Sequence, residues 1–228
     1  MDWKRLNLAE VERALAELSA EADARGSWHE LREEPLTSDA IRRMMEGYRY
    51  IDALLAERVE LFAYGNSERI LELNHRVLCG VSPERRVQFA DHIAETARHF
   101  YEPPGVGALV DCHNRARTGA PEHLAAMLFA QTLSTPQLFI EGNSRSATLI
   151  ASYCLASRGR PPLVVTTPLL PNYNALVERC AGLDRDGITG MLGFGLCRRK
   201  VEHFLRESLE SRFLLATAAP SLERSPAK

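Results

Sequence analysis

The stretch from Ser144 to Ser157 constrains the fold of this 228-residue chain more than any other. Apolar residues fall at Ala147, Leu149, Ile150, Ala151, Tyr153, Cys154 and Leu155, too many for a helix that keeps one face in water. The pattern therefore predicts a central helix wrapped by others. Before it, Pro136 to Ile140 forms a largely apolar approach and Glu141-Gly142-Asn143 a tight polar turn. Gly142 permits φ > 0, and Asn143 is a favoured N-cap whose side chain can also face outward. The first-turn N–H groups lack partners inside the helix and the peptide dipoles make that end positive, which suits an anion. Ser144 opens that turn, Arg145 adds donors that match phosphate oxygens, and Glu141 is placed to hold a hard cation such as Mg2+. An ordinary turn with a helix cap uses the same residue types, so spacing alone leaves both readings open.

Phe139-x-Glu141-Gly142-Asn143-x-Arg145 resembles the signature loop of the Fic/Doc (Fido) family, His-x-Phe-x-(Asp/Glu)-Gly-Asn-Gly-Arg-x-x-Arg. The resemblance implies an all-α, Fic-like helical bundle around a central helix, with a small β-hairpin flap expected from His99 to Gly107. It also implies a site for ATP or another nucleotide with Mg2+, and transfer of AMP or another phosphate-linked group to a hydroxyl on a protein target. By that likeness Phe139 is the core anchor, Glu141 the Mg2+ ligand, Gly142 and Asn143 the anion cradle, and Arg145 the phosphate clamp. Tyr173 and Asn174 fall where the family places residues beside the nucleotide base. Three positions depart from the pattern: Gln137 replaces the catalytic His, Ser144 the second Gly, and Thr148 the second Arg. The Gln matters most, because an amide can orient a hydroxyl but has no basic pKa near 7 with which to deprotonate it. His99 is the expected stand-in base. The family's inhibitory helix motif is not matched by Ser67-x-x-x-Leu71, and Thr148 removes its partner, so regulation of that kind is not expected.

A net charge of −2 supplies no field for nucleic acid, and no apolar run approaches the roughly 20 residues that cross a bilayer. Met1 to Arg5 lacks the apolar core of a signal peptide. The five cysteines contain no C-x-x-C pair, which favours reduced thiols and a cytoplasmic setting.

Along the chain, Asn7 and Glu10 open an amphipathic helix on Leu8, Val11, Leu15 and Leu18 that Gly26 ends, and Asp23 to Pro35 is an expected loop pinned by Trp28 and Leu31. A second helix is expected from Thr37 to the break at Gly65-Asn66, with Met44, Met45 and Tyr48 inward. Residues 1–66 are thus an N-terminal helical extension, 67–212 the Fic-like core and 213–228 a frayed tail. Within the core, helices are expected from Ser67 to Gly80 and from Ser82-Pro83 to Tyr101, the latter with Val87 and Phe89 inward. Others follow from Val106 to Thr118, from Pro121 to Leu133, from Tyr173, and from Ile188 to Leu214, where Gly190, Gly193 and Gly195 break the first half. Leu163 to Thr167 is a β-prone run without an obvious partner.

Other chemistry finds little support. His75 and Cys79 lie one turn apart without a third zinc ligand nearby, and Cys112 and His113 are helix neighbours that diverge too much for a catalytic dyad. The leading expectation is a ligand-binding transferase. Its rivals are a pseudoenzyme that uses the same pocket to bind, and a helical scaffold with no ligand.

Overall fold

The computed structural model describes residues 3–24, 37–186 and 188–216. Among them are ten α-helices and no β-strand, so the all-α expectation holds. The helices are α1 (Leu8–Ala24), α2 (Ser38–Ala56), α3 (Ser67–Cys79), α4 (Pro83–Gln88) and α5 (Ala90–Tyr101). They continue as α6 (Gly105–Ala116), α7 (Pro121–Leu133), α8 (Asn143–Ala156), α9 (Leu170–Ala181) and α10 (Ile188–Ser208). None is long and apolar enough to cross a membrane.

Helix α8 is the axis of the molecule, packed by α7, α3 and α2, while α10 covers the outside of α7. Its residues from Ser146 to Ala156 are all buried. A helix enclosed in this way must satisfy its own hydroxyls. Ser152 Oγ donates to the Leu163 carbonyl at 3.0 Å, and Thr148 shares a 2.9 Å hydrogen bond with the Tyr173 hydroxyl. The Leu163 carbonyl also accepts from Tyr48 Oη at 2.5 Å. The β-prone run therefore becomes a buried irregular segment whose first carbonyl is held by side chains of α2 and α8.

Local signals set many boundaries. Thr37 caps α2 by accepting from the Ala40 N–H, Ser82 does the same for α4 with Pro83 behind it, and Gly80 closes α3 at φ 75°. Other boundaries differ from expectation, for longer-range reasons. Helix α2 stops at Ala56, well before Gly65, because the Tyr153 hydroxyl donates to the Val59 carbonyl (2.6 Å) and accepts from the Leu61 N–H (3.0 Å), fixing a turn there. The single helix expected to run to Tyr101 divides at Phe89, and Val87 and Phe89 are exposed. Charges hold α4 in place: Arg85 reaches Asp39 at 2.9 Å and Arg86 grips Glu72 at 2.8 and 3.0 Å. No hairpin flap forms between His99 and Gly107, where α5 ends and α6 begins.

Helix α9 starts at Leu170, ahead of Tyr173, and α10 is continuous through its glycines. Any Cβ at Gly190 would stand 1.9 Å from the Asp184 carbonyl oxygen, so glycine there lets α10 lie directly on the preceding turn. Cys180 and Cys197 form a disulfide between α9 and α10, which corrects the expectation of reduced thiols at that pair; Cys79, Cys112 and Cys154 are free and buried.

The expected tail also begins later than residue 213. Phe213 is buried, Leu214 pairs with Leu6, and the Asn7 and Leu215 N–H groups donate to the Phe213 and Arg5 carbonyls at 2.9 and 3.0 Å. The α1–α2 segment shares one hydrophobic core with the rest of the chain. The loop expectation for Trp28 and Leu31, the stop at Gly26 and the remainder of the tail fall outside the described residues.

Two outcomes follow. Under denaturing, non-reducing conditions alkylation followed by peptide mass spectrometry should label Cys79, Cys112 and Cys154 but not Cys180 or Cys197. Tyr48→Phe, which removes a buried donor from the Leu163 carbonyl, should cost about 1–2 kcal/mol in urea unfolding.

Candidate functional site

The approach to α8 is a short loop from Ser134 to Gly142 that folds back over its own helix start. Phe139 anchors it: the ring is buried and stacks on Phe100 with centroids 5.5 Å apart. Gly142 is the residue before the helix and has φ 71°, in the left-handed region. A Cβ there would lie 3.1 Å from Leu78 and 3.2 Å from Asn74, so both the turn and its closeness to α3 require glycine.

Asn143 departs from the expected outward cap. It is the first residue of α8 and fully buried, with Oδ1 accepting from the Phe139 N–H at 2.9 Å. Its Nδ2 donates to the Phe139 carbonyl at 2.8 Å and to Gln137 Oε1 at 3.2 Å. The side chain is a staple inside the loop, and Asn143 exposes no surface to an anion. Arg145 is likewise anchored, with Nη1 donating at 2.5 Å to the Val77 carbonyl, one of the last in α3, which Arg43 Nε also contacts at 3.1 Å. Ser144 and Arg145 are half-buried.

Tyr173 does come to this turn, but from beneath. It is buried, its hydroxyl donates to the Ser144 carbonyl at 3.1 Å, and its ring meets Phe129 edge-on. Asn174 is buried beside it. Tyr173 braces the helix start from within and Asn174 is buried, which corrects their expected place beside a nucleotide base.

Glu141 points the other way. Its side chain is 63% exposed, while its carbonyl is held by Asn74 Nδ2 at 2.8 Å. Helix α5 lies along the loop and sets a histidine at each end. His92 Nε2 is 4.0 Å from Glu141 Oε2, and His99 Nε2 donates to the Gln137 carbonyl at 3.0 Å. When His99 is neutral, its lone pair is therefore on Nδ1. Gln137 Nε2 donates to the Leu133 carbonyl at 3.3 Å, so its amide is tied at both ends. His92 and His99 stand seven residues apart, which puts both on one face of α5. Nothing comparable marked Asn74, which holds the loop from α3.

Among the described residues no three His, Cys, Asp or Glu side chains are grouped to hold a metal. Glu141 offers a single exposed carboxylate, which fits Mg2+ only as an ion brought and shared by phosphate oxygens. Four enclosed polar atoms on α3 and α5 have no hydrogen-bond partner within the protein: Asn74 Oδ1, His75 Nε2, His92 Nε2 and Thr96 Oγ1. Burial pushes His75 below its ordinary value, against the raising effect of Glu72.

No family model matches the chain, and neither does any curated protein or solved structure. The likeness to the Fic/Doc loop thus stands on residues 139–145.

Asn143→Ala should cost about 2–4 kcal/mol in chemical denaturation, because it leaves the buried Phe139 N–H and carbonyl unpaired. His75 binds a proton less readily folded than unfolded, so unfolding takes up a proton near and below its ordinary value of 6.5. Its contribution to stability is complete above that pH and is lost as the pH falls through the lower folded value. His75→Gln should flatten this acid limb in a melting-temperature series from pH 8 to pH 5.

Proposed function

We propose that the turn Glu141 to Arg145 binds the phosphates of a nucleotide or another diphosphate-containing ligand together with Mg2+, and that the protein acts as a Fic-like binding module. The observation that carries this reading is the division of labour in the loop. Asn143 and Phe139 fix the turn from inside, so the exposed Glu141 carboxylate stands just before the start of α8, whose next residues Ser144 and Arg145 are half-buried. Amides at a helix N-terminus favour an anion, and a carboxylate beside them favours the cation that a polyphosphate carries.

Binding is favoured over AMP transfer because Gln137 cannot accept a proton and its amide is already bonded to Leu133 and Asn143. One observation favours transfer as a second reading. His99 reaches Gln137, and its Nδ1 lone pair is that of a general base.

Thermal shift with ATP, ADP and a nucleotide sugar, with and without Mg2+, tests the proposal. A ligand at 100 times its Kd adds about 2.7 kcal/mol of stability. Wild type should gain a Mg2+-dependent rise in melting temperature that Glu141→Gln loses. A flat response to all three ligands would refute the binding site. Mass spectrometry of the protein after incubation separates the two readings: an added nucleotidyl or phosphate-linked mass that His99→Ala abolishes identifies transfer, and an unchanged mass identifies a binder.

A further inference from the structure

Helix α10 packs on α7 and α9 with one side and, among the described residues, leaves the other uncovered. Its inward residues Cys197, Val201, Leu205 and Ser208 are all buried. On the opposite side Leu192, Leu196, Arg199, His203 and Arg206 are exposed, at intervals of four, three, four and three residues. That spacing keeps all five on one line along the helix, about 21 Å long at about 1.5 Å per residue. The line is apolar at its start, where Leu192 is 78% and Leu196 58% exposed, and basic from Arg199 onward.

Two observations set this face apart from an ordinary solvated surface. First, its cations exceed what its own carboxylates neutralise. From Arg198 to Glu207 the helix carries four Arg and Lys side chains against two Glu, on a chain whose net charge is −2. Buried Glu202 takes both Arg198, at 2.6 Å, and Arg206, while Glu207 lies 3.3 Å from His203. Arg199 and Lys200 are exposed, and among the described residues neither forms an ion pair. Second, Gly195 stands beside Leu196 with nothing within 4 Å of the place a Cβ would take. Packing does not require glycine there, and glycine weakens a helix. With Gly193 on the other flank, it leaves the two leucines standing proud of the helix surface.

We propose that the outer face of α10 docks on an anionic lipid surface. Leu192 and Leu196 enter the boundary between headgroups and acyl chains, and Arg199, Lys200 and Arg206 lie among the anionic headgroups. An acidic protein would answer the same charge, but a stable protein interface takes about 20–30 residues a side, with its apolar anchors at the centre. This face is a single row with its apolar residues at one end, which a fluid, planar surface accepts. Two leucines are a small apolar anchor, so attachment is reversible and depends on the headgroup charge. The face uses no residue of the Glu141 turn, and the proposal is independent of the phosphate-binding one.

Flotation of the full chain with phosphatidylcholine vesicles, with and without phosphatidylserine, tests it. Binding to the phosphatidylserine vesicles should be at least about tenfold stronger than to phosphatidylcholine alone, and should weaken with added salt. The double variants Leu192→Gln/Leu196→Gln and Arg199→Glu/Lys200→Glu alter exposed side chains, so each should keep the wild-type melting temperature and lower binding about tenfold or more. Absence of binding to the phosphatidylserine vesicles overturns the proposal, as does equal binding to both kinds. Wild-type binding by either double variant overturns it as well. Capture of poly-glutamate without vesicle binding would assign the face to an acidic protein and overturn the lipid reading.

Discussion

A helix enclosed on every side can send none of its polar groups to water, and α8 imposes that condition on everything around it. Its hydroxyls find partners in the Leu163 carbonyl, the Tyr173 phenol and the Asn74 amide. Its first residue, Asn143, turns inward and closes the preceding loop through both peptide groups of Phe139. That one side chain sets the shape of the turn, and the shape determines which atoms remain outside. Glu141 faces out while Phe139, Gln137 and Asn143 are engaged with one another. A buried hydrogen-bond network of this kind is costly when half made, so the loop is held as a unit.

How much of this was visible in the sequence follows from how far each interaction reaches. Thr37, Ser82-Pro83 and Gly80 act on peptide groups within one helical turn, so their effect is readable from neighbouring letters. The end of α2 is different, because the hydroxyl that fixes it belongs to Tyr153, far along the chain. Ion pairs from Arg85 and Arg86 to α2 and α3 likewise outweighed the apolar pattern that put Val87 and Phe89 inside. The Cys180–Cys197 bond joins two helices whose approach no spacing announced. At the candidate site, Gly142 was legible since a turn before a helix demands it. The direction of Asn143 was not, because an Asn amide caps a helix from outside or staples a loop from inside with equal chemistry. Arg145 carries donors suited to a phosphate, but the Val77 carbonyl uses one of them.

The two ends of α8 are electrostatic opposites. At the Gly142 end, the first turn of the helix stands beside the exposed Glu141 carboxylate, with two histidines of α5 along the loop. At the Ser157 end, Arg158 holds the Arg117 and Gly119 carbonyls beside a half-buried His113 ring. The dipole of one buried helix thus acts in opposite senses on two separate regions.

The short pairing of residues 5–7 with residues 213–215 has a consequence for how the chain is made. Two segments far apart in the chain complete one another, so residues 5–7 cannot settle until residues 213–215 have been made. Closing so large a loop is entropically cheap per added residue but late in time. Until then Leu6 lacks the partner that covers it in the folded chain.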